Sequence, residues 1–567
     1  MTLNPLRLNL KTWFLNTCKK QYLATSCGAT TFFLLLFSRR WQQLLNPQVW
    51  DEDGTPAGKT AYLGGSNLSD YINHGWHSFF SPVNGYLILV PKIISRISLL
   101  TGLINYPIVS TSLSWLFIVL VCLAVYLSPT YLRSRFFCAL SILLIPSDPE
   151  VFGIPLYTLW WAALLLFLLT LWDERREHKC LRLIYLLLGG FSSPLILLVL
   201  PLLYLRAFLL KHLKFELIIA IAATAIAGIQ LLFILKSGSG KPPKLSGLTY
   251  IISTFFGNVF VGNFDKFHKY TSIGGLFFFL LLLLYAYKLR TKVVSYFLIY
   301  LLLGVILLQM SRVDITGINQ HTAGPRYFFY PFILMFWIMI QSFYLYKNKI
   351  YKFAIVTLCC IPVLNATPAW SRTHDDLMWE SHVLTCSLLP DNVDYEIPVE
   401  WDGNKARVWY LNLKAINCRK FLGQRWSFNK QIKIKTFPYV LQELSPNTKP
   451  LADGKLLAST MTGTDFPHSE FDGLKVIGSY TTSDSDVGSV TLQFSRGERL
   501  LYRSGPGKKG QSITILGYEN QFATTLPTSE KWVILEFINP NLPPVFSVSI
   551  KDDGVGWGEW SAIAIKE

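Results

Sequence analysis

The sequence predicts a polytopic α-helical membrane protein with a β-rich C-terminal domain outside the membrane. Apolar residues make up 51% of the 567 residues and charged residues 15%, and the mean hydropathy is +0.35. Globular domains carry about 25% charged residues, so this composition excludes an ordinary soluble protein. From about residue 371 the long apolar runs end. Short alternating segments separated by Gly, Pro, Asn and Asp then predict strands and turns.

About eleven apolar segments are candidates to cross a hydrocarbon core about 30 Å thick. They cover roughly residues 21–38, 107–128, 136–147, 155–172, 181–191, 194–210, 215–235, 271–288, 293–310, 327–346 and 353–369. Two of them, 136–147 and 181–191, are short for a transmembrane helix, which needs about 20 residues. We still expect 136–147 to cross, because omitting it would place the basic residues of 175–182 outside.

Basic residues cluster in alternate loops and so predict the orientation. The positive-inside rule places these loops and the N-terminus in the cytoplasm and the C-terminal segment outside. The cytoplasmic set comprises Arg7, Lys11, Lys19, Lys20, Arg133, Arg135, Arg175, Arg176, Lys179, Arg182, Arg206, Lys211, Lys214, Lys288, Arg290, Lys292, Lys347, Lys349 and Lys352. The first apolar run lacks an obvious small-residue cleavage site, so we expect a retained anchor and not a signal peptide.

The net charge of +17 is only partly due to this cytoplasmic bias, because the predicted external loops are basic as well. Two interpretations stay open: snorkelling to lipid headgroups, or an anionic ligand such as a lipid phosphate at the outer interface. No soluble basic domain is predicted, so nucleic acid is not an expected partner. The external set comprises Arg39, Arg40, Lys92, Arg96, Lys241, Lys244, Lys266, Lys269, Arg312 and Arg326.

Three regions follow from these patterns. Residues 1–370 are predicted to form the transmembrane domain, which includes a long external loop at 39–106. Residues 371–470 are predicted to form an extracytoplasmic connector of mixed character. Residues 471–567 are predicted to form a β-sandwich-like domain, since their short strands recur with turns between them.

The external segment also carries two cysteines and two tryptophans of interest. Of the nine cysteines, only Cys386 and Cys418 lie there, where an oxidising compartment favours a disulfide over two buried thiols. Trp557 or Trp560 could stack on an acceptor glycan. Packing of both indoles in the sandwich core is the favoured interpretation.

The most distinctive motif is the acidic stretch Asp51-Glu52-Asp53-Gly54 in the first external loop. The glycine and a nearby proline place the three carboxylates on a turn. One carboxylate there can act as general base toward an acceptor hydroxyl. Glu52 and Asp53 could also hold a divalent metal, Mg or Mn, together with a substrate phosphate. A solvated acidic turn that caps the next helix is an equal alternative.

Other candidate residues lie on the same predicted side of the membrane. Glu150, in a turn between spans, is either a site residue or part of a capping turn. Arg326 opens a late span, where it suits a phosphate or, alternatively, snorkels within an aromatic belt. Lys92 and Arg96 lie one helical turn apart, beside an aromatic segment at 79–86 that forms either a ligand platform or an interfacial belt.

Together these motifs resemble the bacterial GT-C superfamily of integral-membrane glycosyltransferases over about residues 20–420. One subgroup has Trp-Ala-Glu-Asp-Gly in its first external loop, and here Trp50-Asp51-Glu52-Asp53-Gly54 has Asp51 at the alanine position. The same subgroup has a stretch with Gly-Tyr, followed by Val-Pro and a basic residue. The segment from Asn84-Gly85-Tyr86-Leu87 to Val90-Pro91-Lys92 matches it here. Its Pro-Glu-Val turn and Arg-Tyr-Phe segment are matched by Pro149-Glu150-Val151 and Arg326-Tyr327-Phe328.

The resemblance implies transfer of a sugar from a polyprenyl-phosphate-linked donor to a glycan or other cell-envelope acceptor, at the external face of the bacterial plasma (inner) membrane. Asp53 is the expected base and Glu52 would hold the acceptor or a metal, although the extra Asp51 leaves open which carboxylate acts. Arg326, helped by Lys92, would stabilise the departing lipid phosphate. The further expected substrate-binding residues are Glu150, Tyr86 and Tyr327.

Two other functions compete with this one. A flippase or transporter of lipid-linked glycans would have charged residues within its spans and internal repeats, whereas ionisable residues here concentrate in the loops. A wall-assembly protein would use its membrane part as an anchor and its external domain to bind sugar. The clustered external acids argue mildly against that third function.

Overall fold

The computed structural model of the chain contains two compact units. Met1–Ser98 and Pro107–Asp375 form the first, here called the helical unit, and Leu99–Tyr106 and Asp376–Glu567 form the second, the β unit. The structure describes residues 5–50, 55–56, 68, 72, 75–83, 85–147, 149–210, 214–237, 251–261, 271–288, 293–311, 313, 318, 324–344, 347–366, 370–371, 377, 379–388, 394–399, 409–423, 433–438, 455–463, 474–495, 498–507, 510–516, 532–538 and 545–566.

The first two thirds of the chain are built from helices. They are α1 (Pro5–Leu45), α2 (Leu89–Leu100), α3 (Tyr106–Leu127), α4 (Arg135–Leu143), α5 (Thr158–Thr170), α6 (Lys179–Gly190), α7 (Ile196–Leu209), α8 (Lys214–Ser237), α9 (Asn258–Val261), α10 (Thr271–Lys288), α11 (Val293–Met310), α12 (Phe329–Phe343) and α13 (Lys349–Asn365). Short 3₁₀ turns lie at Gly75–Phe80, Pro149–Val151 and Pro325–Phe328, a π-helical turn at Ile252–Gly257 and a two-residue strand, β1, at Thr55–Pro56.

Each predicted span coincides with one of these helices. The helices α2 and α9 are additional. Among the helices described, α3 and α8 are long and apolar enough to cross a membrane. Four apolar stretches are shorter: α5, α7, Ile273–Tyr285 and Val294–Met310. The nine residues of α4 rise only about 14 Å. This rise is shorter than a hydrocarbon core of about 30 Å, so the crossing predicted for 136–147 and the number of spans stay predictions.

A continuous apolar core runs through the helical unit, with α5 inside it. All residues of α5 except Trp160 are buried, as expected for a helix that is apolar on every side. Two of the buried indoles donate to backbone carbonyls: Trp161 to that of Val151 at 2.8 Å and Trp337 to that of Cys138 at 3.0 Å. This packing fixes the start of α5 against the turn that carries Glu150.

The β unit begins with a helix, a hairpin and a second short helix. These are α14 (Trp379–Leu388), β2 (Asp394–Val399), β3 (Trp409–Lys414) and α15 (Ala415–Lys420). The two strands pair antiparallel, with Asp394 opposite Lys414 and Val399 opposite Trp409. A disulfide joins Cys386 on α14 to Cys418 on α15, with 5.9 Å between the Cα atoms.

The rest of the β unit is a sandwich of two antiparallel sheets. Its strands are β4 (Lys433–Pro438), β5 (Lys455–Ser459), β6 (Leu474–Gly478), β7 (Gly488–Ser495), β8 (Arg499–Ser504), β9 (Gln511–Ile515), β10 (Val533–Ile538), β11 (Val545–Asp552) and β12 (Ser561–Lys566). One sheet has the order β4-β10-β8-β12-β6 and the other β5-β7-β11-β9. Both contribute to one buried cluster, which includes Leu492, Tyr502 and Val548.

Two features of the sandwich differ from expectation. β4 and β5 come from the segment predicted as a connector, so the sandwich starts near Lys433 and not at 471. Trp560 is buried, as expected for a core indole, whereas the Trp557 side chain is 82% exposed. The favoured prediction of core packing is therefore wrong for Trp557.

Removing the disulfide should destabilise the β unit. Its cysteines are 32 residues apart, a separation at which chain entropy of the unfolded state predicts about 3–4 kcal/mol of stabilisation. We expect the double variant Cys386→Ala/Cys418→Ala to unfold at lower temperature than the wild type, and a reductant to act only on the wild type. Cys180→Ala, at an exposed free cysteine, is the control. Equal unfolding temperatures of wild type and double variant would contradict this prediction.

Candidate active site

An ion pair joins two turns of the helical unit that are far apart in sequence. Arg326 donates from Nη1 to Glu150 Oε1 at 2.7 Å. Tyr157 completes the group, because its hydroxyl donates to the same carboxylate oxygen at 2.6 Å and accepts from Arg326 at 2.5 Å. The Glu150 side chain is 9% exposed and that of Arg326 28%. The cation therefore reaches solvent while its carboxylate partner is enclosed.

Local structure fixes both turns. Glu150 lies in the 3₁₀ turn Pro149–Val151, and Arg326 in the turn that leads into α12. Gly324 precedes that turn at φ 70°, in the left-handed region that favours glycine. A Cβ there would lie 2.8 Å from the Tyr327 ring. The Ser147 hydroxyl donates to the Pro325 carbonyl at 3.3 Å, which ties the two turns together beside the ion pair.

Aromatic rings surround the Arg326 guanidinium. It lies 5.6 Å from the ring centre of Tyr157 and 5.5 Å from that of Tyr327. Trp160 contacts Tyr327 edge-on and stacks on Tyr330 at 4.9 Å. Cation–π contacts of this kind stabilise a partly desolvated guanidinium by about 1–2 kcal/mol. Tyr327, which the sequence predicted as substrate-binding, therefore contacts the candidate phosphate-binding cation.

Arg39 contacts the backbone that leads from α4 into the Glu150 turn. Its Nη1 donates to the carbonyls of Leu143 and Ile145 at 2.9 and 3.0 Å, and its Nη2 donates to that of Ser147. The guanidinium also lies 4.3 Å from the ring centre of Phe152. The last carbonyls of a helix lack intrahelical partners, and a cation there is favourable. Arg39 thus organises the chain between α4 and the Glu150 turn.

The burial of Arg39 and Arg40 corrects their predicted placement among cations of an outer-interface loop. Both side chains are 0% exposed. Arg40 donates from Nε to Gln43 at 3.0 Å, and Gln43 donates onward to the Gly153 carbonyl at 3.0 Å. These contacts bind the end of α1 to the chain just after Glu150. The two arginines thus have structural contacts inside the protein, where we had expected snorkelling or a ligand.

The acidic stretch Asp51, Glu52 and Asp53 lies outside the described residues. Trp50, which precedes it, is described and is 4% exposed. Its side chain belongs to a buried cluster with Tyr157, against which Tyr86 also packs. Trp50, the residue directly before the acidic stretch, therefore packs in the same cluster as Tyr157, which belongs to the ion-pair group.

Lys92 and Arg96 do not form the predicted pair of ligand-facing cations. Lys92 is 1% exposed and its Nζ donates to the Ser78 carbonyl. The Arg96 guanidinium lies 5.1 Å from the ring centre of Trp76. Both cations therefore hold the 3₁₀ turn Gly75–Phe80 against α2. The role of Lys92 at a lipid phosphate stays a prediction.

The described residues include no candidate metal site. Within the described parts of the chain, no three His, Cys, Asp or Glu side chains are grouped so that they could hold a metal ion. Glu52 and Asp53, the expected ligands of Mg or Mn, lie outside those parts. Metal binding by these two residues stays a prediction.

A second buried charge cluster was missed by the sequence reasoning. Arg182 donates from Nη1 and Nη2 to the two carboxylate oxygens of Glu216 at 2.9 and 2.8 Å. Arg206 donates to the same carboxylate at 3.1 and 3.3 Å and to the Thr170 carbonyl at 3.2 Å. The three charged side chains are 5% exposed or less. The signal was a lone acid, Glu216, directly after a basic loop.

This cluster connects α6, α7 and α8 near their ends and leaves one net positive charge buried. We had assigned Arg182 and Arg206 to the cytoplasmic basic loops. Their charge remains consistent with that side of the membrane, but their function here is to pair with Glu216. Bidentate arginine–carboxylate contacts fix geometry as well as charge, so the cluster sets how the three helices meet.

Comparison with known proteins adds little to this description. No family model matches the chain, and a search of curated proteins gives no match. Among solved structures, a similar chain is the arabinosyltransferase EmbB from Mycobacterium smegmatis, at 11% identity and a TM-score of 0.28. The alignment covers 95% of this chain and 64% of that one, so this chain spans less than two thirds of that protein. At this TM-score the likeness assigns neither fold nor activity.

Neutralising Glu216 should destabilise the helical unit strongly. Glu216→Gln would leave Arg182 and Arg206 buried without a counter-charge, which typically costs about 3–5 kcal/mol. Thermal unfolding of the purified protein measures the loss. Glu177→Gln is the matched control, because Glu177 pairs with Lys179 at the surface, where both side chains are more than half exposed. Exposed pairs contribute at most about 1 kcal/mol. Equal effects of the two substitutions would contradict the assignment.

Proposed function

We propose that this chain is an integral-membrane glycosyltransferase of the GT-C type. It transfers a sugar from a polyprenyl-phosphate-linked donor to a glycan or other cell-envelope acceptor at the external face of a bacterial plasma membrane. The observation that carries the proposal is Arg326, a partly exposed cation held by a buried carboxylate where a helix begins. The motif resemblance supports the reaction class, and the basic loops support the orientation.

Arg326 is suited to receive a phosphate at the edge of an apolar domain. Its charge is balanced by Glu150, and Tyr157 accepts a further hydrogen bond from it. An isolated guanidinium in an apolar environment would be costly. The guanidinium plane carries five N–H donors in a fork. A phosphate matches that fork and makes stronger, charge-assisted hydrogen bonds than a neutral group does.

The proposed reaction is a direct displacement at the anomeric carbon of the donor sugar. The acceptor hydroxyl oxygen bonds to this carbon while the bond from the carbon to the phosphate oxygen breaks. The hydroxyl proton passes to a carboxylate, and the phosphate leaves with the bonding electron pair. Because the leaving group carries the developing negative charge, stabilisation by Arg326 lowers the barrier.

Asp53 is proposed as the base, with Asp51 as the alternative carboxylate. Glu52 would orient the acceptor hydroxyl or, together with Asp53, hold Mg or Mn against the donor phosphate. Support for a location near Arg326 comes from Trp50, whose side chain packs in the cluster that contains Tyr157. Tyr86 packs against that cluster too and is proposed to contact the donor or acceptor.

The flippase or transporter alternative has less support. A transport path requires charged side chains that face a route through the membrane. The buried Arg182, Arg206 and Glu216 instead satisfy one another, and Arg39 satisfies backbone carbonyls. The Arg326–Glu150 pair joins an enclosed carboxylate to a partly exposed cation, which suits binding at one surface.

Sugar transfer should require both the base and the cation. Purified wild-type protein in lipid nanodiscs is incubated with a panel of radiolabelled polyprenyl-phosphate sugars and extracted envelope glycans. We expect label to leave the lipid fraction, Asp53→Asn to abolish this release, and Arg326→Lys to slow it by about 100-fold or more, because lysine cannot form the bidentate contact. Product formed at the wild-type rate by Asp53→Asn would remove Asp53 from the mechanism.

Arg175→Lys is the matched control for the cation. Its side chain is 76% exposed and pairs with Asp173 at the surface, so we expect the wild-type transfer rate. Every variant is first checked for its amount in the membrane, which separates lost chemistry from lost folding. No turnover with any donor, alongside tight binding of lipid-linked glycans, would instead support the transporter function.

A further inference from the structure

Trp557 is unusual for a large apolar side chain in a folded β domain. It is 82% exposed, the highest exposure of any large apolar side chain in the part of the chain that the structure describes. The other described tryptophans of the sandwich, Trp532 and Trp560, are each 6% exposed. Folding gains nothing from an indole left in water. Its position at the tip of a loop therefore calls for an explanation outside the sandwich core.

The loop that carries Trp557 is held in one conformation by hydrogen bonds on both sides of the indole. Glu559 Oε2 accepts from the backbone N–H of Val555 at 3.1 Å and of Gly556 at 2.8 Å. The Gly558 N–H donates to Asp484 Oδ2 at 2.9 Å. The Gly558 carbonyl accepts from the Gly507 N–H at 2.8 Å. An aromatic side chain on such a fixed loop binds with little loss of conformational entropy.

Glycines flank Trp557 at two positions that have little room for a side chain. Gly558 has φ +73°, and a Cβ there would lie 2.7 Å from Pro506. A Cβ at Gly556 would lie 3.0 Å from the Glu559 carboxylate that fixes the loop. The sequence Gly-Trp-Gly thus serves the tight turn that carries the exposed indole.

The adjoining loop, residues 481–487, is rich in hydroxyl groups. Asp486 accepts from the backbone N–H groups of Thr481, Thr482 and Ser483 at 3.0, 2.7 and 3.0 Å. The Thr481 hydroxyl and these N–H groups hold the pKa of Asp486 well below its usual range. The Asp484 contact with Gly558 joins this ordered loop to the Trp557 loop. Hydroxyls and an indole therefore lie on two connected loops.

The charges of the two loops limit the class of partner. Segments 481–487 and 553–559 contain four carboxylates and no lysine or arginine, which disfavours an anionic bilayer or a polyanion. Three of the carboxylates already accept backbone N–H groups of the loops: Asp484, Asp486 and Glu559. Recognition of a basic partner by these three would compete with the bonds that order the loops. A neutral, hydroxyl-bearing ligand fits both facts.

We propose that Trp557 and loop 481–487 form a binding site for a neutral glycan on the β unit. The indole stacks on the C–H face of one pyranose ring. The hydroxyl oxygens of Thr481 and Thr482, whose protons are donated to Asp486, accept hydrogen bonds from the hydroxyl groups of the sugar. Binding sites that combine an aromatic surface with a few polar groups follow this general pattern. The inference rests on the β unit alone and does not require the proposed transfer reaction.

Glycan binding by the whole protein tests the site. Full-length protein in nanodiscs, free of sugar-based detergents, is applied to an array of neutral oligosaccharides that includes cellohexaose, chitohexaose, maltohexaose and xylohexaose. We expect at least one to bind, Trp557→Ala to weaken its binding by about tenfold or more, and Trp557→Phe to retain most of it. Val545→Ala, at a half-exposed valine of β11, is the matched control and should bind as the wild type does.

Three results would overturn the proposal. The first is an array on which no oligosaccharide binds the wild type. The second is equal binding by Trp557→Ala and the wild type. The third is Trp557-dependent binding of hexalysine without binding of any glycan, which would assign the surface to a basic partner. These measurements do not involve sugar transfer, so none of the three results bears on the proposed transferase activity.

Discussion

The pairing of Arg326 with Glu150 is the interaction on which the candidate site depends. A guanidinium within an apolar helical unit is stable only if its charge is balanced nearby. Glu150 supplies that charge from a turn 176 residues away in sequence. Tyr157 makes the pair a three-membered group, and the Ser147–Pro325 hydrogen bond holds the two turns at the required distance. The site is therefore a consequence of how these turns meet.

Other buried arginines of the helical unit also have partners, either backbone carbonyls or a carboxylate. Arg39 is fully buried and donates to carbonyls at the end of α4 and in the turn that follows. Arg182 and Arg206 share Glu216 among three helices. Buried cations thus fix helix ends in several places, whereas the Arg326–Glu150 pair keeps its cation partly exposed. That difference separates a candidate ligand-binding charge from structural ones.

Much of the architecture could be predicted because apolar length and alternation are local properties of a sequence. Every predicted span coincides with a helix, and the alternating segments after 471 are strands. Pairing between distant residues could not be predicted in this way. Nothing local to Arg39 indicates that it contacts Leu143, 104 residues away. Nothing local to Lys92 indicates burial against Ser78. Trp557 and Trp560 look alike in sequence and differ because glycines turn the chain between them.

Binding of a polyprenyl phosphate that carries no sugar tests the central claim most directly, because it isolates the Arg326–phosphate contact from catalysis. Its dissociation constant is measured for the wild type, Arg326→Gln and Glu150→Gln in nanodiscs of neutral lipid. The account predicts that Arg326→Gln weakens binding by about tenfold or more, and that Glu150→Gln weakens it as well, because the guanidinium loses the carboxylate that holds it in place. Equal affinity of the wild type and Arg326→Gln would contradict the account.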